Sequence, residues 1–136
     1  MTYTFDPNAR SVRVEVGVYG PRQYFDFKCS LDTGASQTVL SAVLLRSLGC
    51  DLANPVGRTR IRAATGSVVV PLVRLPLVTA LGRARPDFVV AANEFPIGVE
   101  TDGLLGLDFY RGWVLRFDFA RGRVSLTSPS WWRFWR

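Results

Sequence analysis

From Val12 the chain alternates with a period of two: Val12, Val14, Val16 and Val18 on one side, Arg13, Glu15 and Gly17 on the other. Tyr19-Gly20-Pro21-Arg22 is a turn signal. The alternation then resumes, with Phe25, Phe27, Cys29 and Leu31 opposite Tyr24, Asp26, Lys28 and Ser30. A strand turns successive side chains to opposite faces, whereas a helix face repeats every 3.6 residues, so this segment reads as a half-buried β-hairpin. Its second strand runs into Asp32-Thr33-Gly34-Ala35-Ser36. Asp32 continues the polar side, away from the core, and Gly34 lets the chain turn sharply and another backbone or a substrate approach closely. Gln37-Thr38-Val39-Leu40 returns to an apolar run. A carboxylate on a tight loop between two apolar strands is a chemical group held on a rigid base.

The remaining elements are short. Thr2 to Asn8 reads as an N-terminal arm. Ser41 caps a helix over Ala42 to Leu48 that Gly49 ends, and Asn54-Pro55 with Gly57 marks a loop. Alternation returns with Arg58, Arg60 and Arg62 opposite Thr59, Ile61 and Ala63; Thr65-Gly66 is the hairpin tip and Val68-Val69-Val70 leads out. Pro71 and Pro76 interrupt the next strand pattern and suggest an edge. Gly82 turns the chain, Asp87 to Ala91 is a buried strand, and Ala92 to Thr101 is a loop. A short helix over Leu107 to Arg111 precedes a last hairpin, Trp113 to Phe119 and Arg123 to Leu126. The class is mainly β, in one domain over 10–128, with an arm at 1–9 and an aromatic, basic tail at 129–136.

Composition removes several chemistries. The 136 residues are 48% hydrophobic, enough for a real core, and hold no histidine. That excludes Ser-His and Cys-His catalysis and ordinary zinc hydrolase sites, and leaves carboxylates as the agents of hydrolysis. Cys29 and Cys50 have no metal spacing and read as reduced and buried; no metal or cofactor is expected. The net charge of +6 comes from arginines scattered along strands, which reads as a solvated face, so no nucleic-acid partner is expected. No apolar run approaches the ~18 residues of a membrane span, and Met1 to Asp6 lacks a signal pattern, so a cytoplasmic location is expected. The tail Trp131-Trp132-Arg133-Phe134-Trp135-Arg136, if exposed, would suit a membrane interface; its small area favours docking or local disorder instead.

Leu31-Asp32-Thr33-Gly34-Ala35 resembles the hydrophobic-Asp-Thr/Ser-Gly-Ala/Ser element of aspartic proteases, with Ala last as in the retroviral branch. Some seventy residues on, Asp102-Gly103-Leu104-Leu105-Gly106-Leu107-Asp108-Phe109 resembles the apolar-apolar-Gly element that precedes the family's C-terminal helix. Together they are similar to single-domain, retropepsin-like proteases, bacterial members especially, over roughly Val12 to Leu126. The resemblance implies a closed barrel or sandwich of short strands with a flap hairpin. It implies a catalytic Asp32 in an active-site loop with Thr33, Gly34 and Ala35, and loop support from Gly103, Leu104, Leu105 and Gly106. The flap over substrate would be Ala63, Ala64, Thr65 and Gly66. Ser36 and Leu107 stand where retroviral enzymes carry a carboxylate and an Arg that support their dimer. Asp108 reads as a helix-start or structural residue.

Aspartic proteolysis needs two carboxylates sharing a proton and holding a water. This chain has one Asp-Thr-Gly, so the second Asp32 must come from an identical chain in a two-fold homodimer acting on polypeptide. The alternative is a weak or inactive module that keeps the fold and binds peptide or dimerises without cutting.

Overall fold

The computed structural model describes residues 1–63, 66–96 and 98–131, and of residue 63 the backbone alone. Ten strands and two short helices follow one another: β1 (Thr2–Thr4), β2 (Arg13–Tyr19), β3 (Tyr24–Leu31), β4 (Val39–Ser41), α1 (Ala42–Ser47), β5 (Gly57–Ala63), β6 (Gly66–Ala80), β7 (Arg83–Asn93), β8 (Gly103–Leu105), α2 (Leu107–Tyr110), β9 (Val114–Asp118) and β10 (Arg123–Thr127). Strands β2-β3-β8-β4-β7-β6 lie side by side, and a further β2–β6 pairing, Val16↔Ala80 to Tyr19↔Leu77, closes them into a six-stranded barrel. Closure leaves these strands without a free edge over the paired stretch.

The barrel interior follows from the alternation. Val16, Val18, Phe27, Cys29, Leu40, Leu75, Val78, Val90 and Leu105 are fully buried, and Phe109 joins them from α2. Phe25 departs from the pattern: beside the turn of the β2–β3 hairpin, opposite Val18, it rests on Phe27 edge-to-face and stays half exposed. Ser41 caps α1, its Oγ accepting from the Leu44 N–H at 3.3 Å, and Gly49 ends the turn at φ +89°.

Pro71 pairs with Arg58 of β5 on one side only, just before the β7 ladder begins at Leu72, as an edge position would; Pro76 does not mark an edge. Strand β6 runs through both, with β7 along one side from Leu72 to Ala80. On the other side β5 pairs as far as Leu72 and β2 takes over at Leu77. Pro76 falls in the gap between them, and the β7 ladder steps from Leu75↔Phe88 to Leu77↔Pro86, leaving Pro76 and Asp87 unpaired. A residue with no N–H fits a central strand where the ladder is already broken. Strand β7 is likewise longer than expected, beginning at Arg83 after a two-residue turn in which Leu81 and Gly82 both have positive φ.

A second sheet, β1-β10-β9, lies against the barrel. The arm's first residues form its outer strand, Thr2↔Ser125 to Thr4↔Arg123, and the Phe5 N–H donates to the Gly122 carbonyl at 2.8 Å. Arg85 joins barrel to sheet: its guanidinium donates to the carbonyls of Phe109 and Arg111 and stacks on Trp113, 4.4 Å from the ring centre. Trp131 is exposed; the tail beyond it lies outside the described residues. Among those described, no helix is long and apolar enough to cross a membrane.

Both cysteines are free and buried. Burial pushes the Cys29 thiol well up, aided by the charge of Asp102, and raises Cys50 as well. A folded-state pKa above the unfolded one means that the stabilising contribution is complete below the unfolded value and is lost as pH rises past it. Stability is therefore expected to be level to about pH 8 and to fall above about pH 9, by roughly 1.4 kcal/mol per pH unit for the Cys29 thiol. Thermal melts that stay level to about pH 10.5 would contradict this.

Candidate active site

Strand β8 is the insert that shapes the site. It pairs parallel to β3, Ser30↔Leu104 and Leu31↔Leu105, and antiparallel to β4, Val39↔Leu104. The chain leaving β3 therefore cannot continue straight into β4 and loops over the end of β8. That loop carries Asp32.

Its backbone is held at several points. The Asp32 N–H donates to the Leu105 carbonyl at 3.0 Å, and the Ala35 N–H to the Asp32 carbonyl at 3.2 Å. The Ala35 carbonyl accepts from the Leu107 N–H at 2.8 Å. Oδ1 of Asp32 accepts the Gly34 N–H at 2.8 Å, which fixes the carboxylate against its own loop. Gly34 does not take a positive φ; the constraint is space, because a Cβ there would sit 3.1 Å from that same Oδ1. Asp32 and Ala35 are part-exposed, while Thr33, Gly34 and Ser36 are exposed at the loop's outer surface.

Gly103 and Gly106 allow β8 to sit where it does. A Cβ on Gly103 would lie 2.5 Å from the Val39 carbonyl oxygen. On Gly106 it would lie 2.7 Å from the Gln37 carbonyl carbon and 2.8 Å from the carbonyl oxygens of Ala35 and Gln37. Gly106 has φ −99° and ψ −177°, open to any residue, so close approach alone demands glycine. Between them Leu104 is part-exposed toward the groove and Leu105 fully buried. The Leu105 carbonyl accepts both the Asp32 N–H and the Tyr110 hydroxyl, the latter at 2.8 Å. Burial first, then the charges of Asp32, Cys29 and Asp108, push that phenol far above its ordinary value, so it stays a donor.

Thr38 and Asp108 extend the supporting set beyond what the sequence suggested. Thr38 is fully buried. Its hydroxyl donates to Asp108 Oδ1 at 2.7 Å and accepts the Gly106 N–H at 3.1 Å. The Thr38 N–H donates to both Asp108 oxygens, at 2.9 and 3.0 Å. A threonine opening an apolar strand was the available signal, because a hydroxyl there must find a buried partner. Asp102 plays a parallel part at the other end of β8, where its Oδ2 accepts the Lys28 N–H at 2.8 Å and its carbonyl accepts the Ser41 N–H.

Above Asp32 is a groove of about 370 Å³. Its floor includes Asp32, Gly34, Gln37 and Leu104; residues 59–62 of β5, with Asn93 and Phe95, form its walls. Asp32 is the one carboxylate among its lining residues. The β5–β6 hairpin thus overhangs the loop. At its end Ala63 and Gly66 are paired in the ladder, with Gly66 at φ +119°, while Ala64 and Thr65 lie outside the described residues. Among the described residues no three His, Cys, Asp or Glu side chains gather as a metal site.

The closed barrel, the inserted β8 strand and the Asp-Thr-Gly loop beneath an overhanging hairpin define a retropepsin-like protein. A crystal structure of a retropepsin-like aspartic protease from Rickettsia conorii matches with a TM-score of 0.69 at 19% identity, covering 94% of this chain and 89% of that one. At that identity the likeness is one of fold. The family model for aspartyl proteases matches residues 14–109, and the chain belongs to that family. No curated protein matches its sequence.

Proposed function

We propose that this protein is an endopeptidase of the aspartic type, acting as a two-fold homodimer in which two Asp32 carboxylates hold the attacking water. The observation that carries the reading is the single groove carboxylate, fixed by the Gly34 N–H at 2.8 Å on a loop whose Thr33, Gly34 and Ser36 face outward. One carboxylate cannot serve as both general base and general acid in the same step. A second copy of the loop, brought up by a two-fold axis, supplies the other. Two carboxylates that close share one proton: the ionised one takes a proton from water as it attacks the carbonyl carbon, and the protonated one gives its proton toward the carbonyl oxygen. The pair titrates as a unit, and loss of the shared proton at higher pH removes the acid.

In this reading Thr33 supports the opposing loop and Gly34 lets backbone lie beside the carboxylates. Gly103 to Gly106 brace the loop from below, and the β5–β6 hairpin, through Ala63 to Gly66, closes as a flap over an extended segment of about six to eight residues. The experiment is peptide-library cleavage read by mass spectrometry across a pH series, with sedimentation at the same concentrations. Cleavage that follows the dimer fraction and declines above neutrality is the expected result. Cleavage by a monomer, or a rate flat from about pH 5 to about pH 8, would count against the shared-proton dyad. A confirmed dimer that cuts nothing would mark a peptide-binding or dimerisation module instead.

A further inference from the structure

We propose that Arg58, Arg60 and Arg62 select substrates in which acidic and apolar residues alternate along an extended segment, a specificity that rests on the peptidase reading above. Strand β5 pairs with β6 on one side only and ends the order of its sheet. Its other edge is open beside the groove that holds Asp32. A polypeptide laid along that edge adds a strand, and side chains directly opposite one another then share a face.

The two faces of β5 differ sharply. Ile61 packs with Val68 and Phe95 against Val39, Val70 and Ala91. The opposite face carries Arg58, Arg60 and Arg62, all exposed. None of the three joins an ion pair among the described residues, whose pairs are Arg13–Glu100, Arg46–Glu94 and Arg121–Asp118. Arg60 donates to the neutral Ser67 hydroxyl at 3.2 Å. Arg60 and Arg62 also line the groove, where Asp32 is the one opposing charge. The arginines recur every second residue, their Cα atoms about 6.6 Å apart, the same repeat as the residues of an added strand. An added strand therefore places its outward carboxylates beside the arginines and its inward apolar residues beside Ile61. A slip of one residue exchanges the two sets and puts carboxylates against apolar wall.

Three peptides of one length test this: Glu and Leu alternating in the favoured phase, the same residues shifted by one position about the cleavage site, and a version with Gln for Glu. Cleavage is measured with the wild-type protein, and binding by fluorescence anisotropy with Asp32→Asn, at about 0.05 M and about 0.5 M salt. In-phase Glu should be favoured over Gln roughly five- to tenfold at low salt. The shifted peptide should fall to the level of Gln or below. The preference should shrink at high salt and vanish in Arg60→Gln/Arg62→Gln. Equal behaviour of the three peptides, or a preference that survives in the double variant, overturns the proposal. So does an oligonucleotide of equal charge that displaces the in-phase peptide and binds more tightly, which would make this a nucleic-acid surface. Binding in the favoured phase without any cleavage sustains the arginine selection and defeats the peptidase reading; cleavage without phase preference does the reverse.

Discussion

Asp32→Asn is expected to lower peptide-bond hydrolysis by at least about a thousandfold, roughly 4 kcal/mol in the barrier, and to leave the fold intact. The amide oxygen of Asn can still accept the Gly34 N–H that Oδ1 of Asp32 accepts at 2.8 Å, so the loop keeps its local bond. The amide cannot take a proton from water, and two of them cannot share one. Both halves of the dyad are lost together, since each subunit contributes the same residue. kcat/KM on a cleaved library peptide, measured beside the melting temperature and sedimentation of the same preparation, checks this. Equal cleavage by the two proteins would identify a contaminant, and a collapse of the melting temperature would mean that Asp32 has a structural role the geometry does not reveal.

The largest effect on stability is expected at Thr38. Thr38→Val keeps the side chain's shape and removes one oxygen that serves two partners, the Gly106 N–H and Asp108 Oδ1. Thr38 is fully buried, so water does not replace what is lost, and the Gly106 N–H is left unpaired beneath the Asp32 loop. A loss of about 2–4 kcal/mol follows, or roughly 10 °C in melting temperature for a domain of this size. Asp108→Asn removes the charge from the same network, so the double variant should cost less than the two single costs added, with a coupling of about 1–3 kcal/mol. Denaturant unfolding of the four proteins measures it. Additive losses would show that Thr38 and Asp108 act separately.

The first expectation falls where sequence and structure meet most closely; the second does not. The hairpin through Val14, Val16, Val18, Phe27 and Cys29 was legible because a period of two with one buried face admits one register. Asp32 stood out because it continues the polar side of that strand into a glycine-supported turn; the catalytic role given to it is what the resemblance of the two motifs to aspartic proteases implies. Gly106 was legible as an element of a motif; its physical reason, three backbone atoms within 2.8 Å of where a Cβ would be, exists only once Ala35 and Gln37 have folded against it. Pro76 misled because proline argues for an edge only if the ladder around it is continuous. Here the partner on one side changes from β5 to β2 across Pro76.

By itself the sequence determined the β class, the buried face of the first hairpin and the exclusion of histidine chemistry. These are properties of local pattern and composition, set by neighbours a few residues apart. Tertiary structure alone decided that β8 lies between β3 and β4, that Thr38 meets Asp108 across 70 residues, and that the arginine-bearing edge of β5 borders the groove over Asp32. Each depends on contacts between distant segments. Their worth comes from exclusion of water around a hydroxyl, a carboxylate or a close backbone approach, and no local window of sequence records where water will be excluded.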